Sequence, residues 1–113
     1  MKKLIAVPAD NGVLSMHFGH CAYFALYHIV DNKVIKTSVL DAPPHEPGLL
    51  PKWLKDRGAT DIIAGGMGQR AIDLFEEQNI TVLVGVDPSQ KIDDIIAAYL
   101  EGNIKGGGNF CDH

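Results

Sequence analysis

Apolar positions along this chain follow two patterns. Short continuous runs at Leu4-Ile5-Ala6-Val7, Ile62-Ile63-Ala64 and Thr81 to Val84 have the length and character of strands covered on both faces. Other apolar residues recur at helical spacing: Leu50, Trp53 and Leu54; Ala71, Leu74 and Phe75; Ile92, Ile95, Ile96 and Tyr99. Two further strand candidates, Cys21 to Val30 and Lys33 to Leu40, flank Asp31-Asn32, which predicts an antiparallel hairpin without the usual glycine. Punctuation supports the helices. Pro51 suits a first turn, Gly58 a stop and Asn79 an end. Asp87-Pro88-Ser89-Gln90 reads as an N-cap, a first-turn proline and a capping box, and Gly102 closes that helix. The predicted order is β-β-β-α-β-α-β-α. Strand–helix–strand units in its second half demand parallel strands, with the first strand central and the hairpin extending the sheet on one side.

The length of 113 residues supports one core, assigned to residues 1–102. Residues 103–113 have three consecutive glycines and no core pattern, and are expected to form a mobile tail. Ten basic and fourteen acidic residues give a net charge of −4, and no basic stripe appears, which argues against a nucleic-acid partner. No apolar run approaches a membrane span, and Leu4 to Val7 is too short for a signal peptide, so the expected location is the cytoplasm. There, Cys21 and Cys111 are expected to be thiols or ligands rather than a disulfide.

Three stretches carry candidate chemistry. The first is Thr60 to Ile72, where an apolar strand meets Gly65-Gly66-Met67-Gly68 and a helix begins at once, an arrangement whose exposed backbone N–H groups suit an anion. The second is His17-Phe18-Gly19-His20-Cys21, inside a long connection from Ala9 to His20 that has no apolar periodicity. Its imidazoles and thiol suit zinc, copper, iron or iron–sulfur species. If Cys21 has entered the strand, it and His20 point to opposite faces, and His17 and His20 combine better with the third stretch, Cys111-Asp112-His113. The bland reading keeps Cys21 and Phe18 in the core and the histidines in solvent; the spacing matches no standard zinc site. His28 reads as a cross-strand surface residue and His45 as a solvated one. Ser15 lies near His17, but no strained elbow or partner acid supports a nucleophile. Asp93-Asp94 and Glu76-Glu77 read as solvated faces.

Topology brings these stretches together. Open α/β sheets bind ligands outside the carboxyl ends of parallel strands. The loops Ala9 to His20, Gly65 to Gly68 and Gly85 to Pro88 all belong at that edge. The tail starts at the opposite edge, and its eleven residues at about 3.3 Å each reach roughly 35 Å, enough to return Cys111 and His113. A rival reading takes Gly66 to Ala71 as G-x-G-x-x-A, with Asp87 about twenty residues on, as in a nucleotide-binding module. Against it, the chain is about half the size of such domains. No lysine sits in the turn, which excludes a P-loop. A third reading is a simple zinc or copper site on the same residues.

The whole chain resembles the dinitrogenase iron–molybdenum cofactor-binding family, small proteins similar to NifX and to the carboxyl-terminal domain of NifB. The resemblance rests on the opening strand followed by S-x-H-F-G at Ser15 to Gly19, A-G-G-M-G at Ala64 to Gly68, and the tail at Cys111 to His113. It implies a ribonuclease H-like α/β fold, a mixed five-stranded sheet with helices on both faces. It also implies a non-catalytic role, binding or carrying an iron–molybdenum or related metal–sulfur cluster between donor and acceptor proteins. By motif position, the metal ligands implied are His17, His20, Cys21, Cys111 and His113. The lining implied is Ser15, His17, Phe18, Gly19, Gly65, Gly66, Met67 and Gly68.

Overall fold

Burial on both faces makes the first apolar run the centre of the molecule. In the computed structural model, which describes residues 2–14, 22–41, 49–86 and 90–101, this run becomes strand β1, Lys2–Asp10. It is followed by β2 (Val13–Leu14), β3 (Tyr23–Val30) and β4 (Lys33–Asp41), then α1 (Leu49–Asp56), β5 (Asp61–Ile63), α2 (Gln69–Glu77), β6 (Thr81–Leu83) and α3 (Ile92–Leu100). The sheet order is β4-β3-β1-β5-β6, with β2 beside β1. β1 pairs parallel with β5, and β5 with β6; β3 and β4 run antiparallel on the other side. This is a mixed α/β fold. Asp31 (φ 49°) and Asn32 (φ 67°) both take left-handed conformations at the hairpin, which asparagine and aspartate tolerate best after glycine.

Alternation along β1 builds two cores. Leu4 and Ala6 join Phe24, Leu26, Ile62 and Met67 under Leu54 of α1 and Phe75 of α2. Ile5, Val7 and Ala9 join Ala25, Tyr27, Ile29 and Ile63 under Ile92, Ile95 and Ile96 of α3. Helices thus lie on both faces, α1 and α2 on one and α3 on the other.

Several sequence expectations are corrected. Among the described residues the sheet has six strands rather than five, because the Ala9–His20 connection opens with a tight turn. Asn11 (φ 51°) and Gly12 (φ 82°) turn the chain so that Asp10 pairs with Val13 and Ala9 with Leu14. β1 also runs on through Pro8, which pairs with Phe24 on one side and lies past the end of β5 on the other, where no ladder needs its missing N–H. The last helix starts at Ile92, not at Pro88. Its N-cap is Lys91, extended at ψ 141° and bridged to Val13, so Gln90 completes no capping box. Asp87, Pro88 and Ser89 lie outside the described residues. On α2, Phe75 is buried in the core and the half-buried Ala71 and Ile72 pack against it; Ile72 takes the place expected of Leu74, which is half-buried but outside that cluster. β6 forms the sheet's edge, half-buried rather than enclosed.

A polar chain at the amino edge ties α3 down. Lys3 Nζ donates to the Tyr99 hydroxyl at 2.9 Å, Tyr99 to Asp61 Oδ2 at 3.5 Å, and Thr60 to Asp61 Oδ1 at 2.6 Å. Asn32 Nδ2 donates to the Leu100 carbonyl at 2.9 Å, and the Tyr27 hydroxyl to Asp93 Oδ1 at 2.7 Å. Burial first, then the bond to Asp93, pushes the Tyr27 phenol above its ordinary 10.0. The bond to Tyr99, against the opposing effect of burial, raises the Lys3 ammonium above 10.5. Both groups hold their protons more tightly folded than unfolded, so the stability they contribute is complete below pH 10 and drains away above it. Urea midpoints are expected to fall from about pH 10 upward, and less steeply for Tyr27→Phe. Parallel pH profiles for that variant and the wild type would refute the assignment.

Candidate functional site

Parallel pairing fixes one edge at which β1 and β5 both end. Two tethers lead into this edge around residues 15–21. Leu14 pairs with Ala9, and its N–H donates to the Gln90 carbonyl at 3.2 Å. On the far side of the segment, the Ala22 N–H donates to the Ala9 carbonyl at 3.1 Å and to Asp10 Oδ1 at 2.7 Å. The Gly12 N–H donates to the Tyr23 hydroxyl at 2.9 Å, and the Ile92 N–H to the Gly12 carbonyl at 3.3 Å. Both flanks of residues 15–21 are therefore fastened at the carboxyl end of β1.

The glycine turn leaves β5 at the same edge. The Ala64 N–H bonds the Leu83 carbonyl at 2.9 Å, and the Gly85 N–H bonds the Gly65 carbonyl at 3.0 Å, which zips the turn to the exit of β6. Gly85, at φ +85°, holds a conformation that favours glycine. Gly65, Gly66 and Met67 are buried, and Met67 belongs to the core beneath α1 and α2. The turn thus offers a ligand its backbone rather than the Met67 side chain.

Gly68 is the N-cap of α2, extended at φ −64° and ψ 152°, with no side-chain cap hydrogen bond. No acid stands in the first turn; the exposed Arg70 does. Gln69 turns away from the helix end and donates to Asp73 Oδ1 at 2.8 Å. A cation at the positive end of a helix is unfavourable for the helix itself and favourable for an anion placed there. α3 begins at the same edge but carries Asp93 and Asp94 in its first turn, which already answer its dipole. Of these two helix starts, α2 is the one electrostatically open to an anion.

Of the residues read from sequence as a site, Gly65, Gly66, Met67 and Gly68 are described. Ser15, His17, Phe18, Gly19, His20, Cys21, Cys111 and His113 lie outside the described residues, as does His45. His28 is half-buried in β3, opposite Lys36 and 3.5 Å from the Ser38 hydroxyl, as a cross-strand residue should be. Among the described residues no group of three or more His, Cys, Asp or Glu could hold a metal ion. None of the described helices is long and apolar enough to cross a membrane. The tethers from Asp10, Tyr23 and Gln90, and the charge of Arg70, were missed in the sequence. The Asn11-Gly12 dipeptide was the available signal for the first turn.

Fold and edge together define a small α/β domain whose sheet ends in an amide-lined rim. The chain belongs to the dinitrogenase iron–molybdenum cofactor family, whose description matches residues 1–102. It is 32% identical over 106 residues to an uncharacterised protein of Methanocaldococcus jannaschii, covering 89% of this chain and 88% of that one. The crystal structure of the protein PH0822 superposes with a TM-score of 0.87 at 33% identity, covering 97% of this chain and 99% of the other. The apo form of the orange protein from Desulfovibrio gigas shares the fold, with a TM-score of 0.76 at 20% identity over 95% and 94% of the two chains.

Proposed function

We propose that this protein is a non-catalytic carrier of an iron–molybdenum or related metal–sulfur cluster, acting in cofactor assembly or trafficking in the cytoplasm. Membership of the family points to cofactor binding. The observation that carries the reading to this chain is the start of α2, whose N-cap Gly68 has no side chain to cap it, free of acids in its first turn and flanked by Arg70, at the edge where both tethers of residues 15–21 are fastened. Metal–sulfur clusters are commonly anionic, and an amide-rich helix start beside a cation complements that charge. His17, His20, Cys21, Cys111 and His113 would supply the soft and borderline ligands, with Ser15, Phe18, Gly19 and the backbone of Gly65 to Gly68 lining the cargo. Few protein ligands favour release to an acceptor over permanent capture.

Anaerobic reconstitution tests this directly. Wild-type protein should take up cluster and develop its charge-transfer absorption, with iron, sulfide and molybdenum measured on the product. The double variant His17→Ala, Cys111→Ala should lose most of that absorption. An unchanged spectrum in the double variant would remove the proposed ligands. Zinc or copper without sulfide would replace cluster cargo with a simple metal site.

A further inference from the structure

At the amino edge of the sheet, the face on the α1 side is basic. Paired residues share a face, so the registers set two rows there: Lys2, Val30 and Lys33, then Leu4, His28 and Lys36. Leu4 fixes the side, because it belongs to the core beneath α1. Arg57 joins these rows from just past the end of α1. Ile35, left unpaired by the register shift between His28 and Ile29, is 64% exposed; bulges commonly re-aim a side chain in this way. Lys2, Leu4, His28, Val30, Ile35 and Arg57 all line one cavity of about 400 Å³. Lys33 and Lys36 stand beside it in the same rows.

No Asp or Glu among the described residues lines this cavity. Two acids of this edge serve the other face. Asp61 pairs with Ile5 and accepts from Tyr99, and Asp31 lines a second cavity with Tyr99 and Leu100. Lys3 also touches the basic cavity, but its ammonium is bonded to Tyr99 on that other face. A chain of net charge −4 thus sets Lys2, Lys33, Lys36 and Arg57 together around an imidazole, with no carboxylate in the lining. Like charges held this close repel, and an anion between them removes that repulsion. Arg57 is already positioned. Its guanidinium lies 3.9 Å from the centre of the Trp53 ring, and Nη1 donates to the Trp53 carbonyl at 2.9 Å. A fork fixed in this way loses little freedom when it takes a ligand oxygen.

We propose that this cavity binds a small organic phosphate, with its dianionic group among Lys2, His28 and Arg57 and its apolar body on Leu4, Val30 and Ile35. Several positive groups match a dianion better than a single carboxylate, and an arginine fork fits phosphate oxygens two at a time. The exposed Ile35 offers an apolar body a surface that inorganic phosphate would leave wet. The cavity lies at the opposite edge of the sheet from the glycine turn and needs no cluster. Its failure would leave the carrier reading untouched, and the reverse holds too.

The probe is phenyl phosphate, added to full-length, metal-free ¹⁵N-labelled protein. Amide signals of His28, Ile35, Gly58 and Thr60 should shift saturably at millimolar ligand, while those of Gly66 and Gly68 stay still. Trp53 is the chain's one tryptophan, so its emission should change with the same midpoint as Arg57 engages the phosphate. Benzoate, with one charge fewer, and inorganic phosphate, with no apolar body, should each bind about tenfold more weakly. Lys2→Gln with Arg57→Gln should weaken phenyl phosphate by about tenfold or more. Both positions are exposed, and unmoved α2 and α3 amides show that the fold is intact. No saturable shift, or shifts centred on Gly66 and Gly68, would overturn the proposal. So would equal binding of benzoate or of inorganic phosphate, or a folded double variant that binds as well as wild type.

Discussion

Replacing Phe75 with alanine is expected to cost about 3–5 kcal/mol of stability. Phe75 is fully buried and is the one buried residue of α2. It belongs to the cluster that holds Leu4, Phe24, Leu54 and Ile62, so it seats the helix in the core that α1 also covers. Ala71 and Ile72 are half-buried and Gln69, Arg70 and Asp73 are exposed, which leaves the rest of the helix little to hold it. For a domain of this size such a loss lowers the melting temperature on the order of 20 °C. Leu74→Ala, one position away and half-buried, should cost only about 1 kcal/mol. Urea unfolding of the two variants measures the contrast. Equal losses would mean that α2 is not anchored through Phe75, and the rigid placement of its first turn at the sheet edge would lose its support.

The architecture was legible where one physical signal dominated. Continuous apolar runs give central strands because both faces must be covered, and β1 and β5 followed directly from Leu4 to Val7 and Ile62 to Ala64; Thr81 to Val84 gave a strand too, β6, but at the half-buried edge. The α3 stripe was equally plain, since Ile92, Ile95 and Ile96 are all buried. Misreadings came where a long-range partner overrode a local preference. Asp87 to Gln90 has good capping chemistry, but Lys91 is held extended by Val13, far away in sequence, and the helix waits until Ile92. β2 was lost because two residues are too few for any periodicity; Asn11-Gly12 was its only mark. At the candidate site, the glycine turn and its edge followed from topology. The fastening of that edge did not, because hydrogen bonds such as Ala22 to Asp10 and Gly12 to Tyr23 join residues eleven or twelve positions apart without a repeating pattern.

Arg70→Glu is expected to move stability and cargo uptake in opposite directions. At the first turn of α2 the guanidinium opposes the helix dipole, and a carboxylate there would be favoured, raising the stability of the cargo-free protein by about 0.3–1 kcal/mol. For an anionic cluster held at the same helix start, the exchange alters the local charge by two units. A unit charge about 8 Å away is worth about 0.5–2 kcal/mol across the range of effective dielectric near a protein surface. Cluster affinity should therefore fall by about fivefold or more. Arg70→Gln should lie between, and the loss should shrink as salt is added, because Arg70 is exposed and its field is screened. Chemical unfolding of the cargo-free variants and anaerobic cluster titration at two ionic strengths separate the two effects. A more stable variant that takes up cluster as well as wild type would show that the start of α2 is open to an anion but is not where the cargo sits.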